Sequence, residues 1–119
     1  MAFEGVASNL VVVQVCATNG TTQAQALAGS SSQVTPLTQL ASVASSGAGG
    51  AVVLPPSAAG LEIDIVLITG GNTCAVFPWP GDAINAIAVN SAITMAALTS
   101  ATFCCVTQGT WLTNPRVPS

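Results

Sequence analysis

The chain has almost no charge. Its 119 residues hold four carboxylates, Glu4, Glu62, Asp64 and Asp82, and a single cation, Arg116. There is no Lys, no His and no Tyr. Without His or Lys, a Ser or Cys nucleophile has no general base of the usual kind beside it. Nucleophilic catalysis of the Ser–His or Cys–His type is therefore set aside. One cation cannot neutralise a run of phosphates, so no nucleic-acid partner is expected. The four Cys form no Cys-x-x-Cys and have no His to join them, so no zinc site and no cofactor is expected. Long apolar runs are missing too. The strongest, Leu10 to Ala17, is interrupted by Gln14 and falls far short of the roughly 20 residues of a membrane span. The N-terminus has Glu4 where a signal peptide has basic residues, and no apolar stretch with a cleavage site follows. The expectation is folding in a cytoplasm, with the thiols reduced.

What remains is unusual for a free-standing molecule. Half the chain is hydrophobic and 4% is charged, whereas a soluble designed surface carries about 25–35% charged residues. The exposed surface must rest on Ser, Thr, Asn and Gln, or be covered by partners. The length is that of one domain, with enough chain to bury a core.

Turn and strand signals follow one another closely. Residues 10–16, LVVVQVC, read as a strand, and Asn19-Gly20 as a turn. Residues 21–28, TTQAQALA, are ambiguous between helix and loop. A further strand is expected near Thr38 to Ala44, and a short one from Ala51 to Leu54, ended by Pro55-Pro56. Residues 61–68 alternate, with Leu61, Ile63, Ile65 and Leu67 on one face and Glu62 and Asp64 on the other. Gly70-Gly71-Asn72 suggests a hairpin into the strand from Thr73 to Pro78. Pro78-Trp79-Pro80-Gly81-Asp82 is a rigid bend. Short apolar pieces follow at 84–87 and 92–98. Thr102 to Thr107 is a strand by its β-branched and aromatic content, and Gln108-Gly109 turns the chain into Thr110 to Thr113. The pattern predicts an all-β domain, an antiparallel β-sandwich or barrel-like roll, over residues 10–113. Residues 1–9 form an N-terminal arm in this reading and 114–119 a C-terminal tail.

The candidate functional residues are few. Glu62 and Asp64 lie about 7 Å apart along one strand face, a spacing that overlaps the carboxylate pair of inverting glycosidases. The solvent face of a half-buried strand explains them more simply. Asp82 could join them around calcium, but no acidic loop has the spacing for it. Cys104 and Cys105 are adjacent in a strand and point to opposite faces, so at most one enters the core. Small buried hydrophobes are the preferred reading of the cysteines, with a Cys74–Cys104 disulfide as a secondary one. Trp79, in its Pro-bracketed bend, reads as an interface anchor or a platform for a sugar ring. Trp111 caps either the core or a seam between subunits. Phe3, Leu10 and Pro115 belong to the two ends, which have no evident place in a sheet and read as arms reaching a neighbour.

Residues 51–113 also carry a resemblance. Its elements are Leu54-Pro55-Pro56, Ala59-Gly60, the alternating strand to Ile68, and Val76-Phe77-Pro78. They continue with Gly81-Asp82-Ala83-Ile84-Asn85-Ala86, Thr102-Phe103-Cys104-Cys105-Val106 and Gly109-Thr110-Trp111, and Gly20-Thr21-Thr22-Gln23-Ala24 fits loosely upstream. The pattern resembles the capsid decoration (cement) proteins of tailed bacteriophages. Its motifs are turn and strand signatures, not catalytic ones. The doubled Cys104-Cys105 and the Trp79 bend depart from it. The resemblance implies a non-enzymatic structural protein of the virion, made in the host cytoplasm and seated on the outer surface of the capsid. It would be a homotrimer whose partners are its own copies and the major capsid protein, and which bridges capsid subunits. A tail or fibre module that binds a surface glycan through Trp79 or Trp111 is the alternative.

Overall fold

The structure is a computed structural model and describes residues 11–15, 22–28, 33–34, 40–44, 50–68, 72–85 and 87–114. The strands are β1 (Val11–Val15), β2 (Leu40–Ala44), β3 (Ala51–Val53), β4 (Glu62–Leu67), β5 (Cys74–Phe77), β6 (Ala83–Ile84), β7 (Ile93–Met95), β8 (Ser100–Thr107) and β9 (Thr110–Asn114). One short helix, α1 (Gln23–Ala28), lies between β1 and β2. Six strands form one sheet in the order β1-β2-β4-β8-β9-β6, and three form a second in the order β3-β5-β7. The all-β, sandwich-like architecture agrees with the alternation and turn spacing of the sequence.

The strand pairing is not purely antiparallel, which corrects the expected topology. β1–β2, β2–β4, β3–β5 and β6–β9 run parallel, while β4–β8, β5–β7 and β8–β9 run antiparallel. The cause is the route of the chain. After β2 it crosses to the small sheet as β3 and then returns as β4 beside β2, in the same direction. A parallel neighbour needs such a long crossover, and side-chain alternation does not distinguish the two directions. The hairpin expected around residues 70–72 is corrected for the same reason: β4 and β5 belong to different sheets.

The inner faces of the two sheets meet in one core. Ile63, Ile65 and Leu67 of β4, Ala101, Phe103 and Cys105 of β8, and Trp111 of β9 come from the large sheet. Val52, Cys74, Val76, Ile93 and Met95 face them from the small one. β4 alternates exposed and buried positions through Asp64, as its sequence predicts. β3 differs, because all three of its residues are buried. Val52 enters the main core, whereas Ala51 and Val53 join Phe77 and Ala26 in a second cluster on the other face of the small sheet.

α1 covers that second cluster. Thr22 and Gln25 close its first turn reciprocally: Gln25 N donates to Thr22 Oγ1 at 3.2 Å, and Thr22 N donates to Gln25 Oε1 at 3.2 Å. This is the capping-box arrangement, which satisfies two backbone donors left over at a helix start. Six residues cannot hold a helix in water, so burial of Ala26 against the small sheet is what stabilises it.

Candidate functional site

The bend at Trp79 is the most elaborate surface feature. Asp82 N donates to Trp79 O at 2.9 Å, with Pro80 and Gly81 between them. Pro sets the φ of the second turn residue, and Gly81 takes the third at φ 96°. Hydrogen bonds fix the corner to four other segments, one of them through Ser57. Gly81 N donates to Asn90 Oδ1 at 2.7 Å and Asn90 N to Asp82 O at 2.9 Å. Ser57 N donates to Asp82 Oδ2 at 3.1 Å, and Gly109 N donates to Ser57 Oγ at 2.8 Å. Gln23, at the start of α1, donates from Nε2 to Pro78 O at 2.7 Å. Trp79 itself is half-buried and packs on the α1 cluster with Leu27, Ala75 and Ala92.

Trp111 is placed differently. It is fully buried in the main core, so the reading of it as a contact residue for a subunit or a sugar is corrected to a core role. β9 enters the sheet between β8 and β6, which puts Trp111 level with Ile84 and inside. Its Nε1 is a buried donor with no hydrogen-bond partner among the described residues. Phe3, Leu10 and Pro115, together with the arm at 1–9 and residues 115–119 of the tail, lie outside the described residues.

Glu62 and Asp64 are exposed on the outer face of the large sheet, opposite Cys104 and Thr102 of β8. The Thr102 hydroxyl donates to Asp64 Oδ1. That bond engages one of the two carboxylates with a neighbouring strand. Asp82 does not join them, since it is held by the Ser57 backbone at the Trp79 corner. The described residues contain no group of three or more His, Cys, Asp or Glu placed to hold a metal ion. No helix among them is long and apolar enough to cross a membrane.

Cys74, Cys104 and Cys105 form no disulfide with one another. Cys74 and Cys105 are buried in the main core, while Cys104 is half-buried on the outer face of β8. The alternation of adjacent residues thus keeps Cys104 from Cys74, and the pairing of those two is corrected. Cys16 lies outside the described residues. Burial pushes the Cys105 thiol above its ordinary pKa, and the nearby charge of Asp82 adds to the rise, against lowering by backbone donors at Ala58 and Thr110. Alkylation of the native protein near neutral pH should therefore modify Cys104 before Cys74 and Cys105, because the thiolate is the reactive form. Peptide mapping would read the order, and early labelling of Cys105 would refute it. The raised pKa also makes Cys105 a source of alkaline instability. Its contribution is intact below the ordinary value of 9.0 and lost as pH climbs through the higher folded value.

Several large apolar side chains are left on the surface: Ile68, Ile87, Val89, Leu98, Val106 and Leu112. The antiparallel register of β4 with β8 pairs Asp64 with Thr102 and Val66 with Ser100. Beyond it Leu67 N donates to Thr99 O at 2.8 Å, so Ile68 and Leu98 are each next in sequence to a residue of that bond. Leu98 is 69% exposed. It also has a φ of 60°, a conformation that disfavours side chains with a Cβ. Thr99 Oγ1 donates to Ala96 O at 2.6 Å and closes this turn. Sequence reasoning missed Leu98, because nothing in the apolar piece at 92–98 marks its positive φ. Gln23 and Asn90 were missed as well, since each is an isolated polar residue whose partners lie far away in sequence.

No protein-family model, curated protein or solved structure matches the chain.

Proposed function

We propose that the chain is a structural virion protein that decorates a bacteriophage capsid, assembles as a homotrimer and bridges subunits of the major capsid protein. The observation that carries this reading is the exposure of Leu98, with Ile68 exposed as well. Leu98 occupies a strained backbone position and projects 69% of its surface outward. Fold stability alone would favour Gly or Asn there. A side chain kept at a cost to the monomer makes sense as a contact that another surface covers. The scarcity of charge supports the same reading, because a free molecule needs a charged coat and a permanently covered one does not. In this role the protein does no chemistry. Repeated apolar contacts act together through symmetry and give avidity.

The test is the composition of purified virions that encode this chain, together with its mass in solution. The reading expects a fixed copy number per head and a trimer or a multiple of it. A stable monomer absent from purified particles would sink it. Leu98→Asn sharpens the test. The isolated protein should keep its stability, or gain up to about 1 kcal/mol from the relieved conformation, while occupancy on heads falls. A second reading, a tail or fibre module that binds a glycan, rests on Trp79, which is only partly buried. Glycan binding lost in Trp79→Ala, in a chain missing from heads, would favour it.

A further inference from the structure

We infer that β1 is a self-association edge, which pairs antiparallel with β1 of a second copy about a two-fold axis. The open edges of the two sheets are unequal. β6, at one edge of the large sheet, has two residues, and β7, at one edge of the small sheet, has three. The outer side of β3 is already engaged: Gln33 bridges to Val53, and Val34 N donates to Val53 O at 2.9 Å. β1 is the exception. It offers five residues, VVVQV, at the other edge of the large sheet, and no described strand lies outside it. Proteins that keep such an edge single protect it with Lys, Pro, a bulge or a shorter strand. β1 has no Pro, Gly or charge, and the chain has no Lys at all. Its five residues also pair in unbroken register with β2.

A second copy is the occupant because the strand is complementary to itself. An antiparallel pair centred on Val13 sets Val11 against Val15 and Val12 against Gln14. Every opposed pair is then uncharged, and most are Val on Val, a residue suited to a pleated surface. A two-fold contact of this kind uses the same edge on both copies and closes on itself. The two six-stranded sheets become one continuous sheet. This inference does not rest on the virion reading. A trimer that also used this contact would appear as a pair of trimers, and a chain that used nothing else would be a dimer.

Val13 at the centre meets its own copy, which gives a direct test. Val13→Lys places two ammonium groups face to face and should weaken the two-fold association by about tenfold or more. Val13→Glu should do the same. An equimolar mixture of the two variants should restore association, with one chain of each kind per pair, read by native mass spectrometry. In the wild-type protein, amide exchange at residues 11–15 should slow as concentration rises. That measurement decides the matter even if a variant fails to fold. Wild-type exchange at 11–15 that ignores concentration would overturn the inference. So would folded single variants that associate as the wild type does, or a mixture no better than its components. Presence or absence on virions leaves these results untouched, so the two proposals fail separately.

Discussion

Trp111→Ala should destabilise the protein by about 3–5 kcal/mol, the range for removing a large buried aromatic. Trp111 is fully buried between the sheets, in the same cluster as Phe103, Ile84 and Ile63. A domain of this size has about 5–15 kcal/mol in all, so the variant would sit near the threshold of folding. Its Tm should fall by roughly 15 °C. Trp111→Phe should cost far less, about 1 kcal/mol. The phenyl ring is smaller and leaves a void, but the indole Nε1–H has no partner among the described residues to lose. An unpaired buried donor is itself unfavourable by about 1–3 kcal/mol, and Phe removes it. Thermal unfolding of the two variants side by side is the check. Equal losses would mean that the indole nitrogen is bonded in solution.

Phe77→Ala should produce a different failure, local before it is global. Phe77 packs on the far side of the small sheet with Ala26, Ala51 and Val53, and α1 lies across them. The neighbours are mostly small, so Phe77 supplies much of the apolar surface that seats the helix. The expected cost is about 3 kcal/mol. It should appear first as loss of amide protection at residues 23–28, because a helix of six residues does not persist once undocked. The bonds from Gln23 Nε2 to Pro78 O and from Gly81 N to Asn90 Oδ1 should loosen next, freeing the Trp79 corner. Exchange in β8 and β9 should change little. Uniform loss of protection across both sheets would show that the second cluster is not a separate unit.

The sequence reveals strands more readily than their partners. Ile63 and Ile65 stand out between Glu62 and Asp64 because polar and apolar residues alternate there. The turn at Trp79 is equally plain, since Pro80 and Gly81 occupy the two places their backbone preferences suit. The direction of pairing is not visible. β2 and β4 run parallel because the chain visits the other sheet between them, a fact that no local pattern in 40–67 contains. Trp111 and Leu112 show a second limit. Both are apolar, so alternation has no phase to read, and only the place of β9 between β8 and β6 decides which turns inward. α1 was ambiguous because Ala and Gln suit helix while the segment is too short to hold one; the pairing of Thr22 with Gln25 was the available cue. For the contact surface, the lack of charge was legible at once. The position of Leu98 was not, because its positive φ arises from how the turn before β8 is closed.

The strand order also imposes a timetable. β4 lies between β2 and β8, so the centre of the large sheet stays open on one side until residues 100–107 have been made. Trp111, which fills the core, arrives later still. At roughly 5–20 residues per second of synthesis, the half-built sheet waits on the order of seconds with Ile63, Ile65 and Leu67 uncovered. A chain with so few charges has little to repel its neighbours during that wait. The yield of native protein should therefore depend on how crowded nascent chains are, well before any finished surface meets a partner.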